Sequence, residues 1–145
     1  MTESVPILLV EDNEDDVFFM RRALTAASIS NPVFVAEDGQ KAIAYLVGTA
    51  SRVEGDNCPS LILLDLKLPV TKGLDVLAWL RQQPHLRGTV VLILTSSNEP
   101  SDIREAYRLG ANSYLVKPTT TERLNDLAKA LKNFWLEFNS FAPGS

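Results

Sequence analysis

Leu61-Ile62-Leu63-Leu64-Asp65 sets four consecutive aliphatic residues directly against one carboxylate. A short apolar run with no polar alternation is the pattern of a strand buried on both faces, as in a parallel sheet covered by helices on each side. Four more runs of the same kind flank it: Ile7 to Val10, Val33 to Ala36, Val90 to Leu94 and Ser113 to Val116. Stretches of helical period separate them. The first, Glu14 to Ala27, carries Val17, Met20, Leu24 and Ala27 on one stripe, and the third, Leu74 to Gln83, carries Leu74, Leu77, Ala78 and Leu80. The others are expected at Gln40 to Val47, Ser101 to Leu109 and Thr121 to Asn139, with Thr119 to Thr121 as possible N-caps. Gly48 to Pro59 is expected as the longest loop. Alternating strands and helices with right-handed crossovers predict an α/β fold, a doubly wound five-stranded parallel sheet in the order 2-1-3-4-5.

The composition agrees with a single globular domain over residues 1–145. The chain has 46% hydrophobic and 22% charged residues, and at 145 residues it is long enough for one core. Fourteen Lys and Arg stand against 18 Asp and Glu, a net charge of −4, which gives no electrostatic footprint for nucleic acid. The longest purely aliphatic run, Val90 to Leu94, is far short of the ~20 residues of a membrane span, and the first residues lack a basic leader. A cytoplasmic protein is therefore expected, with neither nucleic acid nor membrane as partner. Cys58 is the single cysteine, so neither an intrachain disulfide nor a multi-thiolate zinc site is available.

In a doubly wound sheet, ligands bind beyond the carboxyl ends of the strands. Those positions hold Glu11 and Asp12, Asp65, Thr95 and Lys117. Asp15 and Asp16 are accounted for by the macrodipole of the helix they begin. Glu11, Asp12 and Asp65 are different, because three clustered carboxylates repel unless a cation or proton intervenes. An all-oxygen set with two or three carboxylates suits Mg²⁺. Thr95 can donate a hydrogen bond to a phosphoryl oxygen, Lys117 can supply a point charge to it, and Asp65 is then the natural nucleophile. Each residue also has a purely structural account: Lys117 could simply neutralise Asp65, and Thr95 could cap a helix or end a strand.

Together the segments resemble the receiver domain of two-component response regulators. Ile7-Leu8-Leu9-Val10-Glu11-Asp12 is similar to that family's first strand and acidic pair, and Leu63 to Pro69, followed by Gly73, to its phosphoacceptor strand and loop. Leu92-Ile93-Leu94-Thr95-Ser96 and Gly110 to Pro118 resemble its fourth and fifth strands. The resemblance covers about residues 5 to 133 and implies a phosphorelay acceptor, which takes a phosphoryl group from a histidine kinase onto Asp65 in a Mg²⁺-dependent step. By the same resemblance Asp12 and Asp65 ligate Mg²⁺, Glu11 acts through water and the backbone carbonyl of Lys67 completes the protein ligands. It further implies a cis Lys117-Pro118 bond and a switch in which Thr95 moves towards the phosphoryl group and Tyr114 turns inward. Lys67 stands two residues past the acceptor, where many receivers carry a neutral side chain. His85, the lone histidine, is expected in a solvated turn.

Beyond the receiver core, residues 134–145 carry Phe134, Trp135, Phe138 and Phe141, too many aromatics to leave in water. They are expected to form a homodimer surface with the face built by helix four, strand five and helix five, or else to fold back on their own subunit against Phe18 or Phe19. This aromatic ending is similar to stand-alone regulators paired with bacterial and cyanobacterial phytochrome kinases. Output is then expected through protein contacts, to a downstream effector or a phosphotransfer protein, and not through turnover of a substrate. The competing readings are a haloacid-dehalogenase-like phosphohydrolase, which lacks its second Asp because Lys67 holds that place, a flavodoxin-like flavin binder, which the acidic crevice opposes, and a pseudo-receiver that binds partners without phosphorylation.

Overall fold

The computed structural model describes residues 5–50 and 58–142. The strands are β1 (Ile7–Val10), β2 (Val33–Ala36), β3 (Leu61–Leu64), β4 (Val90–Thr95) and β5 (Ser113–Val116), and the helices are α1 (Glu14–Ala26), α2 (Gly39–Ala50), α3 (Gly73–Arg81), α4 (Pro100–Arg108) and α5 (Thr121–Ala130). The sheet is parallel with the order β2-β1-β3-β4-β5, as expected. Each strand falls on its apolar run; β4 is one residue longer and takes in Thr95. The expected Gly48–Pro59 loop is shorter at its start, because α2 continues to Ala50, and residues 51–57 lie outside the described residues.

Side chains on a strand alternate between faces, and here the alternation divides the interior into two cores. Leu8, Val10, Ile62, Leu64, Val91 and Ile93 face α2, α3 and α4, meeting Ala42, Leu46, Leu77, Leu80 and Ala106. Ile7, Leu9, Leu61, Leu63, Leu92 and Leu94 face α1 and α5, meeting Met20, Ala23, Leu24 and Ala128. The three central strands are buried along their whole length, while the edge strands β2 and β5 are partly exposed. Asn13 caps α1 by accepting from the Asp16 N–H at 3.0 Å, and Thr120 caps α5 by accepting from the Arg123 N–H at 3.2 Å.

The C-terminal segment departs from expectation in two respects. After Ala130 the helix widens into a π-helix, Leu131–Phe138, whose bonds span five residues: the Asn139 N–H donates to the Phe134 carbonyl at 2.7 Å. That register turns Leu131, Trp135 and Leu136 towards the α1–α5 core. The chain then leaves the helix at Asn139 in an extended conformation and brings Phe141 back onto the same core. The four aromatics expected on one dimer surface are therefore split: Trp135 and Phe141 pack on their own subunit, whereas Phe134 and Phe138 remain 56% and 82% exposed.

Candidate functional site

The site is built by the first residues beyond β1, β3 and β5 and by the last residue of β4. Asp65 continues the ladder of β3, its N–H donating to the Val10 carbonyl at 3.1 Å, so its carboxylate starts from a rigid backbone. The loop that follows is held close. A Cβ on Gly73 would lie 2.2 Å from the Asp65 carbonyl oxygen, and one on Gly39 would lie 2.0 Å from the Thr71 carbonyl oxygen. Only glycine permits either approach. The Gly73 N–H closes the loop onto the Leu66 carbonyl at 3.0 Å.

Lys117 is the centre of the charge arrangement. Its Nζ lies 2.5 Å from Glu11 Oε1, 2.8 Å from Asp16 Oδ2 and 2.9 Å from Asp65 Oδ2. Asp65 Oδ1 accepts from the Lys67 N–H at 3.2 Å, while the Lys67 side chain is exposed. Burial works to lower the pKa of Lys117, but its hydrogen bonds to Asp16, Glu11 and Asp65 outweigh that and hold it above the ordinary lysine value. Burial pushes the Glu11 carboxyl up to about 7, with the Asp65 charge adding and the Lys117 and Asn13 hydrogen bonds opposing. Three carboxylates thus meet one ammonium.

Thr95 is fully buried at the end of β4, and its Oγ1 has no hydrogen-bond partner among the described residues. A buried hydroxyl in that condition costs roughly 1–3 kcal/mol, a cost removed by an acceptor brought to it. Ligand atoms of Glu11, Asp12 and Asp65 lie within 4.8 Å of one another. Hard oxygen donors this close, and in excess over the single Lys117 charge, fit a divalent cation such as Mg²⁺ or Mn²⁺. On β5, the Tyr114 hydroxyl donates to the Ser97 carbonyl at 2.9 Å. Its pKa is raised by burial first, with the Asp102 and Asp65 charges adding and the Ser97 bond opposing.

The strand-end residues Glu11, Asp12, Asp65 and Lys117 thus meet at one place, and Thr95 ends the strand beside Asp65. Three further residues belong to the constellation. Asp16, assigned from sequence to the helix dipole alone, also binds Lys117; it falls one helical turn past Asp12, a spacing that could have signalled it. Ser97 and Asp102 hold the loop after Thr95 through a hydrogen bond that sequence spacing does not announce. The expected cis Lys117-Pro118 bond is not found: no peptide bond among the described residues is cis. Trans is the lower-energy isomer by ~0.5–1 kcal/mol even before proline, and in this geometry the Lys117 N–H still donates to the Thr95 carbonyl at 2.8 Å. His85 lies away from the site, 3.4 Å from both Thr49 Oγ1 and the Leu46 carbonyl.

Comparison with known proteins places these features. The family model of the response regulator receiver domain matches residues 7–129. Response regulator Rcp1 of Synechocystis is 36% identical over 131 residues, which are 90% of this chain and 88% of that protein, and the Mn²⁺-bound structure of Rcp1 superimposes with a TM-score of 0.83 at 33% identity, covering 95% of this chain and 99% of that one. The phosphorylated cyanobacterial phytochrome response regulator RcpA gives 0.84 at 34% identity over 96% of this chain and 99% of its own. The bacteriophytochrome response regulator RtBRR is 40% identical, covering 99% of this chain and 87% of its own, with a TM-score of 0.74. A family match across most of the sheet and helices, on a doubly wound fold with its acids, hydroxyl and lysine at the strand ends, makes this chain a response regulator receiver domain with the CheY-like fold.

Proposed function

We propose that Asp65 is the phosphoacceptor and that the protein works as a stand-alone response regulator. A carboxylate oxygen of Asp65 attacks the phosphorus of a partner kinase's phosphohistidine; the new P–O bond forms as the P–N bond breaks, and the electron pair returns to the imidazole. Such transfers need positioning and charge neutralisation more than covalent help. Lys117, already 2.9 Å from Asp65, contributes its ammonium to the phosphoryl oxygens. Thr95 contributes the hydrogen bond that its buried hydroxyl otherwise lacks, and this orphaned group is the observation that carries the reading. Mg²⁺ held by Asp12 and Asp65, by Glu11 through water and by the backbone carbonyl of Lys67 supplies further charge neutralisation when bound. The acyl phosphate stays on the chain, so the outcome is a signalling state and not turnover of a substrate.

Thr95 and Tyr114 carry that state to the α4–β5–α5 face, where a downstream effector or phosphotransfer protein reads it. The receiver core spans about residues 5–133, with 134–145 as an aromatic extension. The likeness to Rcp1, RcpA and RtBRR supports a phytochrome-type histidine kinase as donor. The exposed Phe134 and Phe138 support a homodimer. Among the described residues no helix is long and apolar enough to cross a membrane, in keeping with a cytoplasmic location.

The test is intact-protein mass after incubation with a small-molecule phosphodonor and Mg²⁺, beside Asp65→Asn and a chelated control. A single phosphoryl adduct that requires both Asp65 and the metal is expected. If the folded, Mg²⁺-binding protein takes no adduct from any donor, the chain is a pseudo-receiver that acts by binding alone.

A further inference from the structure

The placement of Thr95 poses a problem that its own side chain does not solve. With no hydrogen bond to its hydroxyl, the hydrogen bonds that hold the group in position fall to the chain on either side. On one side the Lys117 N–H grips the Thr95 carbonyl at 2.8 Å. On the other side the hold falls to Ser97, two residues on, which is buried although polar. Ser97 bonds in three directions. Its hydroxyl donates to Asp102 Oδ2 at 2.5 Å and accepts from the Glu99 N–H at 3.3 Å, and its carbonyl accepts from the Tyr114 hydroxyl at 2.9 Å. A hydroxyl-to-carboxylate bond this short is of the strong, charge-assisted kind.

Asp102 stands in the first turn of α4, where its charge is also favoured by the helix dipole. Glu99, at the N-cap, makes no side-chain cap. Among the described residues, the Asp102–Ser97 bond is thus the side-chain link that ties the loop of residues 96–99 to α4. We infer that Asp102, acting through Ser97, is a positioning residue for phosphoryl acceptance: it holds the Ser97 carbonyl where Tyr114 meets it and so keeps the Thr95 hydroxyl in place beside Asp65. Without that carboxylate the Ser97 hydroxyl is free to rotate, the loop is released from α4, and Tyr114 and Thr95 lose their common anchor. The inference rests on Asp65 being the phosphoacceptor.

The experiment has two arms on the full chain. The first is NMR of protein labelled with [ζ-¹³C]tyrosine, which shows three signals for three tyrosines, in the absence of metal and donor. In Asp102→Ala and in Ser97→Ala the Tyr114 signal is expected to move towards that of the exposed Tyr107; in Ser97→Thr, which keeps the hydroxyl, it stays in place. The second arm is the rate of phosphoryl adduct formation from a small-molecule donor. A three- to tenfold loss is expected in Asp102→Ala and Ser97→Ala, against less than twofold in Ser97→Thr and in the exposed charge control Asp75→Ala. Unmoved Tyr45 and Tyr107 signals certify that a variant is folded, and Asp102→Asn replaces Asp102→Ala if it is not. A Tyr114 signal unchanged by loss of Asp102, or a changed signal with an unchanged rate, overturns the inference while wild type still forms its adduct. A wild type that forms no adduct overturns the reading of Asp65 instead, and this inference with it.

Discussion

Glu11 is buried at the end of β1, beside the Lys117 ammonium that it shares with Asp65, and its carboxyl is raised to about 7. A carboxyl whose folded pKa lies above its unfolded value binds a proton more tightly when folded, so its contribution is fully present below about pH 4.3 and is lost as pH rises towards 7. In chelator-treated buffer the difference in stability between wild type and Glu11→Gln is therefore expected to shift against wild type by about 2–3 kcal/mol between pH 4.5 and 7.5. Urea unfolding at several pH values measures it, and a difference that stays flat across that range would show Glu11 ionised throughout. The residue-level site was legible where a residue directly follows a strand, because the topology alone carries Glu11, Asp12, Asp65 and Lys117 to one edge. Asp16 was half-legible, since a first-turn acid already has an electrostatic purpose. Ser97 and Asp102 were not: their partnership depends on the path of a loop, which no periodicity encodes.

Among the elements, α3 adds to its apolar packing a set of hydrogen bonds from one side chain, Arg81. The Arg81 guanidinium donates twice to the Gly110 carbonyl, at 2.7 and 3.0 Å, to the Thr89 carbonyl at 2.8 Å and to Asn112 Oδ1 at 2.9 Å. It joins the end of α3 to the approaches of β4 and β5, and among the described residues no carboxylate takes part. Arg81→Met leaves those acceptors without their charged donor and is expected to destabilise the fold by about 2–4 kcal/mol. Arg81→Lys should recover less than half, because one ammonium cannot reproduce the planar fork. Urea midpoints at constant slope check both. The strands were legible almost to the residue, since each is a short, mainly apolar run bounded by polar or turn residues. The π-helical register of Leu131–Phe138 was not, because aromatic residues spaced three and four apart satisfy an α-helical stripe equally well. The wider turn is selected by tertiary packing, which places Trp135 and Leu136 on the core.

At the scale of the whole molecule, packing divides one aromatic segment into a packed pair and an exposed pair. Trp135 and Phe141 close the lower end of the α1–α5 core, while Phe134 and Phe138 stand outside it. That exposed aromatic pair is the surface on which the proposed homodimer rests. A two-fold arrangement buries both copies against the same surface of the partner. The two pairs should therefore separate on substitution. Phe138→Ser, alone or with Phe134→Ser, is expected to weaken the proposed dimer at least tenfold in sedimentation velocity while thermal stability at high dilution is unchanged. Trp135→Ala is expected to lower the stability of the folded chain by about 1–3 kcal/mol, less than for a fully buried aromatic because Trp135 is partly exposed. If the Phe134 and Phe138 variants sediment as wild type does, the aromatic extension is not the contact. The half-exposed edge at Val116 on β5 is then the next surface to change, and the comparison of the two sites decides which end of the α4–β5–α5 face holds the partner.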